Sequence, residues 1–309
     1  MPSLNSVARA AILAGAQNRA TKAFMDRYGM RLGASRFVAG ETLEQCIALV
    51  RSLNQQGFKC NATLLGEAVS NAKEAERAAG GYVELIERLA RERLNCDVAI
   101  KLTLMGLDLG EEIAEANLLR LLRLAAERGL RMRIDMEDST HVAPTLRVYQ
   151  NLVEQGCTNL GAVLQSCLRR SCADLESLLP KRPNLRLVKG AYLESREVAF
   201  PEKEEVDANY LRMMELALGA GGYTAIATHD QRMIQHAIAF TEQKQISRDR
   251  FEFQMLYGIR SQLQRDLLAR GYTVLVATSY GTHWYPFFMR RLAERPANVF
   301  FLLRNMVRR

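Results

Sequence analysis

The sequence predicts an α/β protein: a distorted (β/α)8 barrel of the TIM type with a helical segment ahead of it. Three observations carry that expectation. Eight short β-rich runs recur along the chain, helical patterns separate them, and no Pro/Gly/Ser-rich linker divides the 309 residues. Strands alternating with helices indicate a parallel sheet, and eight units suggest closure. The alternative, an open doubly wound sheet, is weakened because no G-x-G-x-x-G follows the first run.

The runs are "FKCNATLLG" (58–66), "CDVAIKLTL" (96–104), "RMRIDME" (131–137) and "NLGAVLQS" (159–166). They continue with "LRLVKGAY" (185–192), "YTAIATHD" (223–230), "FEFQMLYG" (251–258) and "YTVLVATSYG" (272–281). Between them lie patterns such as "HVAPTLRVYQNLVEQG", where Val142, Leu146, Val148, Leu152 and Val153 recur at roughly helical spacing. Gly129, Gly156 and Gly271 follow helical stretches where a C-terminal glycine belongs. Residues 1–57 read as an N-terminal helical cap, and 58–309 as the barrel.

Hydrophobic content of 48% fits a globular protein with a full core, and no apolar run reaches membrane-spanning length. The apolar patch 10–16 has no basic stretch ahead of it, so the start reads as an amphipathic helix rather than a signal peptide, which suggests the cytoplasm. Six scattered cysteines without a C-x-x-C pair, with four histidines, predict buried thiols and neither a metal site nor a disulfide framework. The net charge is +8, but bases and acids are interleaved, as in "KEAERAAGGYVELIERLARER". That pattern reads as solvated helix faces, not a nucleic-acid surface, while a positive field would still gather an anionic substrate.

In such a barrel the site lies at the C-terminal ends of the strands. The polar residues there are Glu67, Lys101, Asp135 with Glu137 and Asp138, Gln165, Lys189, His229 and Gln254. The eighth run leads into "YPFFMRRLAERPAN", where Pro286 suits a first helical turn and Pro296 a helix end. On that helix alone, Arg290 and Arg291 could simply snorkel to water; converging on the rim, they match a carboxylate or phosphate. Two rim lysines allow a Schiff-base lyase, which requires a lysine of lowered pKa, whereas Asp135 beside Lys101 would keep it charged. One rim histidine is too few for metal hydrolysis. A bound cofactor with its own chemistry remains.

At this point the residues resemble a known family. "RLVKGAY", "ATHD", "FEFQMLYG" and "YGTHWYPFFMRRLAERPANVF", with "LLGE", "AIKLTLMGLDLG" and "DMED" in the right order, are similar to proline dehydrogenases from about residue 58 onward. The resemblance implies a distorted (β/α)8 barrel with non-covalent FAD. It implies oxidation of L-proline to Δ1-pyrroline-5-carboxylate and transfer of electrons to a quinone, with peripheral membrane contact. It further implies that Arg290, Arg291 and Lys101 bind the substrate carboxylate and that Leu256 lies beside the ring. Asp135, paired with Lys101, and Arg186, contacting the flavin, take the catalytic places. Met136, Gln165, Lys189, Gly190, Ala191, Thr228 and His229 line the cofactor with Arg186, and Glu294 holds Arg291 on the flavin side. Glu67 pairs with Arg290 to close the site.

The last run, "VLVATSYG", departs from the family pattern V-R-V-Y-V-P-Y-G. Ala277 stands where a tyrosine packs on the proline ring, Ser279 replaces a proline, and Cys167 stands where Q-A-Y has its aromatic. Removing a tyrosine opens a side chain's worth of space, so 4-hydroxyproline or another proline analogue is an alternative substrate, unless Tyr257 or Tyr280 fills the gap. A Schiff-base lyase using Lys101 or Lys189 and a basic nucleic-acid binder are the competing classes.

Overall fold

A computed structural model describes residues 25, 28–30 and 33–294, with the backbone alone for 292–294. Eight parallel strands close into a barrel in chain order. They are β1 (Lys59–Leu64), β2 (Cys96–Ile100), β3 (Met132–Ile134), β4 (Leu160–Gln165), β5 (Asn184–Val188), β6 (Tyr223–Ala227), β7 (Phe251–Leu256) and β8 (Val274–Tyr280). Each falls within one of the expected runs, except that β5 begins one residue ahead of its run, at Asn184. The ring shuts where β1 pairs with β8 over six positions, from Lys59 opposite Leu275 to Leu64 opposite Tyr280.

The helices are α1 (Leu43–Gln55), α2 (Ala72–Arg91), α3 (Glu111–Glu127), α4 (Ser139–Glu154), α5 (Ser171–Leu178), α6 (Lys203–Gly219), α7 (Gln231–Gln243), α8 (Ser261–Ala269) and α9 (Trp284–Glu294). Local chemistry sets their starts. Thr42 and Gln45 form a reciprocal capping box at α1, and Asn71, Asp138 and Asp230 cap α2, α4 and α7 with their side-chain oxygens. Gly129, Gly156 and Gly271 follow α3, α4 and α8 with φ of 70, 91 and 78°.

Outward side chains of the strands and the inner faces of the helices form one apolar core that includes Val50, Tyr82, Leu89, Leu118, Leu152, Tyr210 and Phe253. Of the expected N-terminal helical segment, residues 1–24 lie outside those described, and α1 packs on the outside of β1 and β8. It thereby holds the place in the ring that a helix after β8 would take. The helix after β8, α9, packs instead in a second apolar cluster. There Trp284, Tyr285 and Phe288 meet Phe37 and Val38 of the N-terminal segment, Leu65 just past β1 and Ile259 just past β7. Since Leu65 and Ile259 follow the C-terminal ends of their strands, this cluster seats α9 at the barrel mouth. Cys46, Cys60 and Cys96 are buried, and burial pushes the Cys46 and Cys60 thiols up to about 12, as inert core thiols require.

Candidate active site

Hydrogen bonds between strands that are not neighbours must cross the barrel's interior, and four of them do so, one being Arg133 Nη2 on β3 to Asn184 Oδ1 on β5 at 2.8 Å. Arg186 on β5 donates from Nη1 to Asp135 Oδ1, just past β3, at 2.6 Å, and from Nε to Gln254 Oε1 on β7 at 2.5 Å. Lys59 on β1 reaches Glu252 on β7 at 3.3 Å, and also meets Asp97 on β2 at 2.7 Å. Odd-numbered strands thus supply most of the polar filling, joined by Asp97 of β2, while the inward positions Ala99, Ala225, Ala227 and Ala277 of even strands leave it room. The lumen is fully packed near its base, where Glu252 is 0% exposed. Toward the C-terminal end the inward residues Lys101, Asp135, Val188, Ala227, Leu256 and Ala277 are only half-buried. In a closed barrel, inward side chains gain exposure only through an open mouth, so the cavity lies there.

Around that mouth cations and carboxylates stand close together. Lys101 follows β2, and its nearest carboxylate, Glu137, lies 3.8 Å away, beyond hydrogen-bond length. Burial pulls the Lys101 pKa below the usual lysine value, with Glu137 opposing and Arg290 adding to the depression. Glu137 accepts from the Thr103 hydroxyl at 2.9 Å. Arg290 lies over the Tyr192 ring at 5.7 Å from the centroid, and Arg291 over Phe287 at 5.2 Å. Burial pushes the Tyr192 phenol up to about 12, with Arg290 opposing. Lys101, Tyr192 and Arg290, from three separate elements, therefore share one neighbourhood.

Farther round the rim, Lys189 donates to Asp207 at 2.5 Å and Asp230 at 3.0 Å, which leaves one of its three donors uncommitted. Asp230, fixed as the α7 cap, takes a second role here. Gly190 has φ +113°, and a Cβ there would sit 2.2 Å from Cys167 Sγ, so only glycine fits the turn. Gln165 donates to the Glu137 carbonyl at 2.7 Å. His229 Nε2 accepts from the Leu256 backbone N–H at 2.9 Å, and Thr228 Oγ1 accepts from Asp230 N–H at 3.1 Å. Met136, two residues past β3, is buried.

Two expected contacts are corrected. The pair anticipated between Asp135 and Lys101 is replaced: Asp135 is taken by Arg186 and Lys101 faces Glu137, because inward residues of β3 and β5 meet across the lumen. The Glu67–Arg290 closure is absent among the described residues. Glu67 is solvent-exposed past β1, and Arg290 stacks on Tyr192 instead. The side chain expected of Glu294 lies outside the described residues. Sequence reading missed Glu252 and Asp207. Asp207 sits mid-helix with no motif around it, whereas the alternation in "FEFQML" marks Glu252 as facing the same way as Gln254.

A flat, partly anionic cofactor would fit this mouth. Among the described residues, Arg186 Nη2 has no acceptor, so both of its donors remain available beside the cavity. The small side chain of Ala227, half-buried on the inner face, leaves space close to the backbone.

Comparison with known proteins agrees. The family model for proline dehydrogenase matches residues 46–304. Proline dehydrogenase 1 of Bacillus subtilis (strain 168) is 42% identical over 293 residues, covering 95% of this chain and 97% of that one. The proline dehydrogenase of Deinococcus radiodurans is 43% identical over 279 residues, covering 89% and 90%. Among solved structures, proline utilization A from Bdellovibrio bacteriovorus, inactivated by N-propargylglycine, superposes with a TM-score of 0.80 at 25% identity over 86% of this chain. The chain spans 32% of that larger protein. A Bradyrhizobium japonicum proline utilization A mutant, at TM-score 0.74 and 22% identity, shares the fold. Matched along most of its length by the family model and nearly end to end by relatives of similar length, this chain belongs to the proline dehydrogenase family.

Proposed function

We propose that FAD, held at the barrel mouth, serves this chain's oxidation of proline to Δ1-pyrroline-5-carboxylate, and that a quinone takes the electrons. The observation that carries this reading is Arg186, pinned by Asp135 and Gln254 with its Nη2 donors directed to neither. When bound, FAD supplies the two-electron acceptor for oxidation of the ring C–N bond. Arg186, Met136, Gln165, Lys189, Gly190, Ala191, Thr228 and His229 would hold it, with Glu294 contributing from α9. Lys101, Arg290 and Arg291 bind the proline carboxylate. The lowered Lys101 pKa supports this role, since an ammonium that burial destabilises, with Glu137 no nearer than 3.8 Å, is stabilised by a substrate that brings a carboxylate. Fixing the carboxylate orients the ring, and Leu256 packs beside it. Glu67, exposed near the entrance, is a gating residue in this reading.

The chain is assigned to the cytoplasm, with peripheral membrane contact where it meets quinone. Among the described residues no helix is long and apolar enough to cross a membrane, and the net charge of +8 suits an anionic lipid surface. Residues 1–57 and 58–309 remain the proposed division into helical segment and catalytic barrel.

The test is an anaerobic visible spectrum of the purified protein before and after L-proline. Bleaching of a flavin band supports the reading, and a protein that takes up no FAD overturns it. Reoxidation by a soluble quinone tests the acceptor.

A second reading rests on Ala277. It faces the mouth half-buried, between Leu256 and Asn61 in register. Strand alternation turns Tyr280, buried in the outer core, and Tyr257, packed against that core, to the opposite face from Ala277, so neither fills the space. That favours acceptance of 4-hydroxyproline. Ala277→Tyr is expected to lower its kcat/KM relative to proline by about tenfold, within the range one shape change in a pocket supplies. An unchanged ratio defeats the idea.

A further inference from the structure

We propose that Glu252 is a positioning residue for Arg186, acting through Gln254, and that it thereby sets how the arginine addresses the flavin. This rests on the reading that FAD occupies the barrel mouth.

The argument begins with the two ends of an amide. Gln254 lies between a guanidinium and a carboxylate. Its Oε1 accepts from Arg186 Nε at 2.5 Å, and its Nε2 donates to Glu252 Oε1 at 2.5 Å. Turning the amide over would set an NH2 against the guanidinium and a carbonyl oxygen against the carboxylate. Both contacts would be repulsive, so the two neighbours permit one orientation. Arg186, which only donates, favours this orientation from one end, and the carboxylate of Glu252, which only accepts, holds the amide from the other. A neutral neighbour able both to donate and to accept would tolerate either.

Arg186 is then anchored on two sides. Gln254 holds Nε from β7, and Asp135 holds Nη1 from beside β3 at 2.6 Å. Two anchors on a planar group fix its plane, and they aim the remaining donors. Removing the β7 anchor leaves the group free to swing about its contact with Asp135.

Burial makes the placement of Glu252 meaningful. It is 0% exposed, and burying a carboxylate costs several kcal/mol unless it is well paired. Lys59 supplies charge at 3.3 Å, yet Lys59 already has Asp97 at the shorter distance of 2.7 Å. Neutralising Lys59 therefore does not require Glu252. The Tyr223 phenol also faces Glu252, but the contact to Gln254, at 2.5 Å, is shorter than that to Lys59 and is the one that leads to the mouth.

The test uses the flavin-loaded enzyme and reads the midpoint potential of the bound flavin beside kcat and KM. Glu252→Gln keeps the shape and removes the charge. If Glu252 acted only as a buried negative charge, its loss would raise the potential. If it holds Gln254, a less well aimed Arg186 stabilises the reduced flavin less. The expected result is a roughly tenfold weaker reduction equilibrium, about 30 mV lower for two electrons. kcat is expected to fall with little change in KM for proline. Gln254→Met should reproduce the shift, and the double variant should go no further, since both act along one path. A raised or unchanged potential in Glu252→Gln, or shifts that add in the double variant, overturn the proposal. Should Glu252→Gln not fold, Glu252→Asp keeps the charge near Lys59 and withdraws it from Gln254. Its potential must then fall, and an unchanged value defeats the idea. A wild-type protein without flavin would fail the FAD reading itself, whereas a yellow wild type with unmoved variants fails this inference alone.

Discussion

The two faces of the same eight strands differ sharply in chemistry. Outward positions such as Cys60, Ala62, Leu185, Leu187, Phe253 and Val276 join the apolar core under the helices. Inward positions Lys59, Asp97, Arg133, Arg186, Glu252 and Gln254 are buried and polar. Parallel strands covered on both sides are usually apolar on both. Here one face supplies cohesion and the other an electrostatic scaffold, and the period-2 alternation separates the two tasks residue by residue. The scaffold is expensive: burial depresses the Arg133 pKa to about 10, with Arg186 adding to the effect. A set of aliphatic side chains would be more stabilising. The lumen is polar because it supports a charged mouth.

Substitutions can break that division, beginning with the outer face. Phe253 is 0% exposed and packs edge-on against Phe251 and Tyr272, with centroids at 5.9 and 5.4 Å. Phe253→Ala is expected to lower unfolding free energy by about 4 kcal/mol. Urea denaturation measures this, and the fraction that stays folded should keep its proline KM. On the inner face, Lys59→Met takes the ammonium from Glu252 and leaves Asp97 only Arg131, at 3.5 Å. It should cost about 3 kcal/mol in the same assay. A loss near zero would mean that the lumen's charges are not coupled.

At the mouth the expected effects pass from stability to binding. Arg290→Met removes charge-assisted contacts worth about 1.5–3 kcal/mol, so KM for proline should rise about 10- to 100-fold with an unchanged melting temperature. Steady-state kinetics decide it, and an unmoved KM would remove Arg290 from the carboxylate site. The smallest effect belongs to the outer rim. His141 contacts Asp108 and Asp138, each at 2.8 Å. Burial lowers its pKa, but the two carboxylates outweigh burial and the net shift is upward. A raised folded pKa gives stability that is fully present below the unfolded value of about 6.5 and is lost as pH rises through the folded pKa. Wild type should therefore exceed His141→Gln by a margin that shrinks from pH 6 to pH 9. A margin independent of pH would show that His141 contributes by packing.

Much of this was legible in the chain. Eight runs, their intervening helices and the glycines after three of them were local signals, and the structure places elements where they fall. The rim residues could be named because each ends a strand. Their pairings could not be named. Asp135 was expected against Lys101 because adjacent strands are the natural guess, but Asp135 meets Arg186, two strands away, across the lumen. Glu67 was expected over Arg290, but the chain past β1 leaves Glu67 exposed.

What the sequence by itself determined was the alternation. Its period assigns each residue to a face, and composition then makes one face apolar and the other charged. That is local information, carried by the pleat of the backbone. What only tertiary structure decided was which charges meet. Closure brings β3, β5 and β7 within hydrogen-bond reach around one lumen, though 51 residues separate Asp135 from Arg186 and 68 separate Arg186 from Gln254. It also seats α9 at the mouth through an apolar cluster drawn from four distant parts of the chain. Pairings of that kind depend on strand order, tilt and closure, which no window of sequence contains.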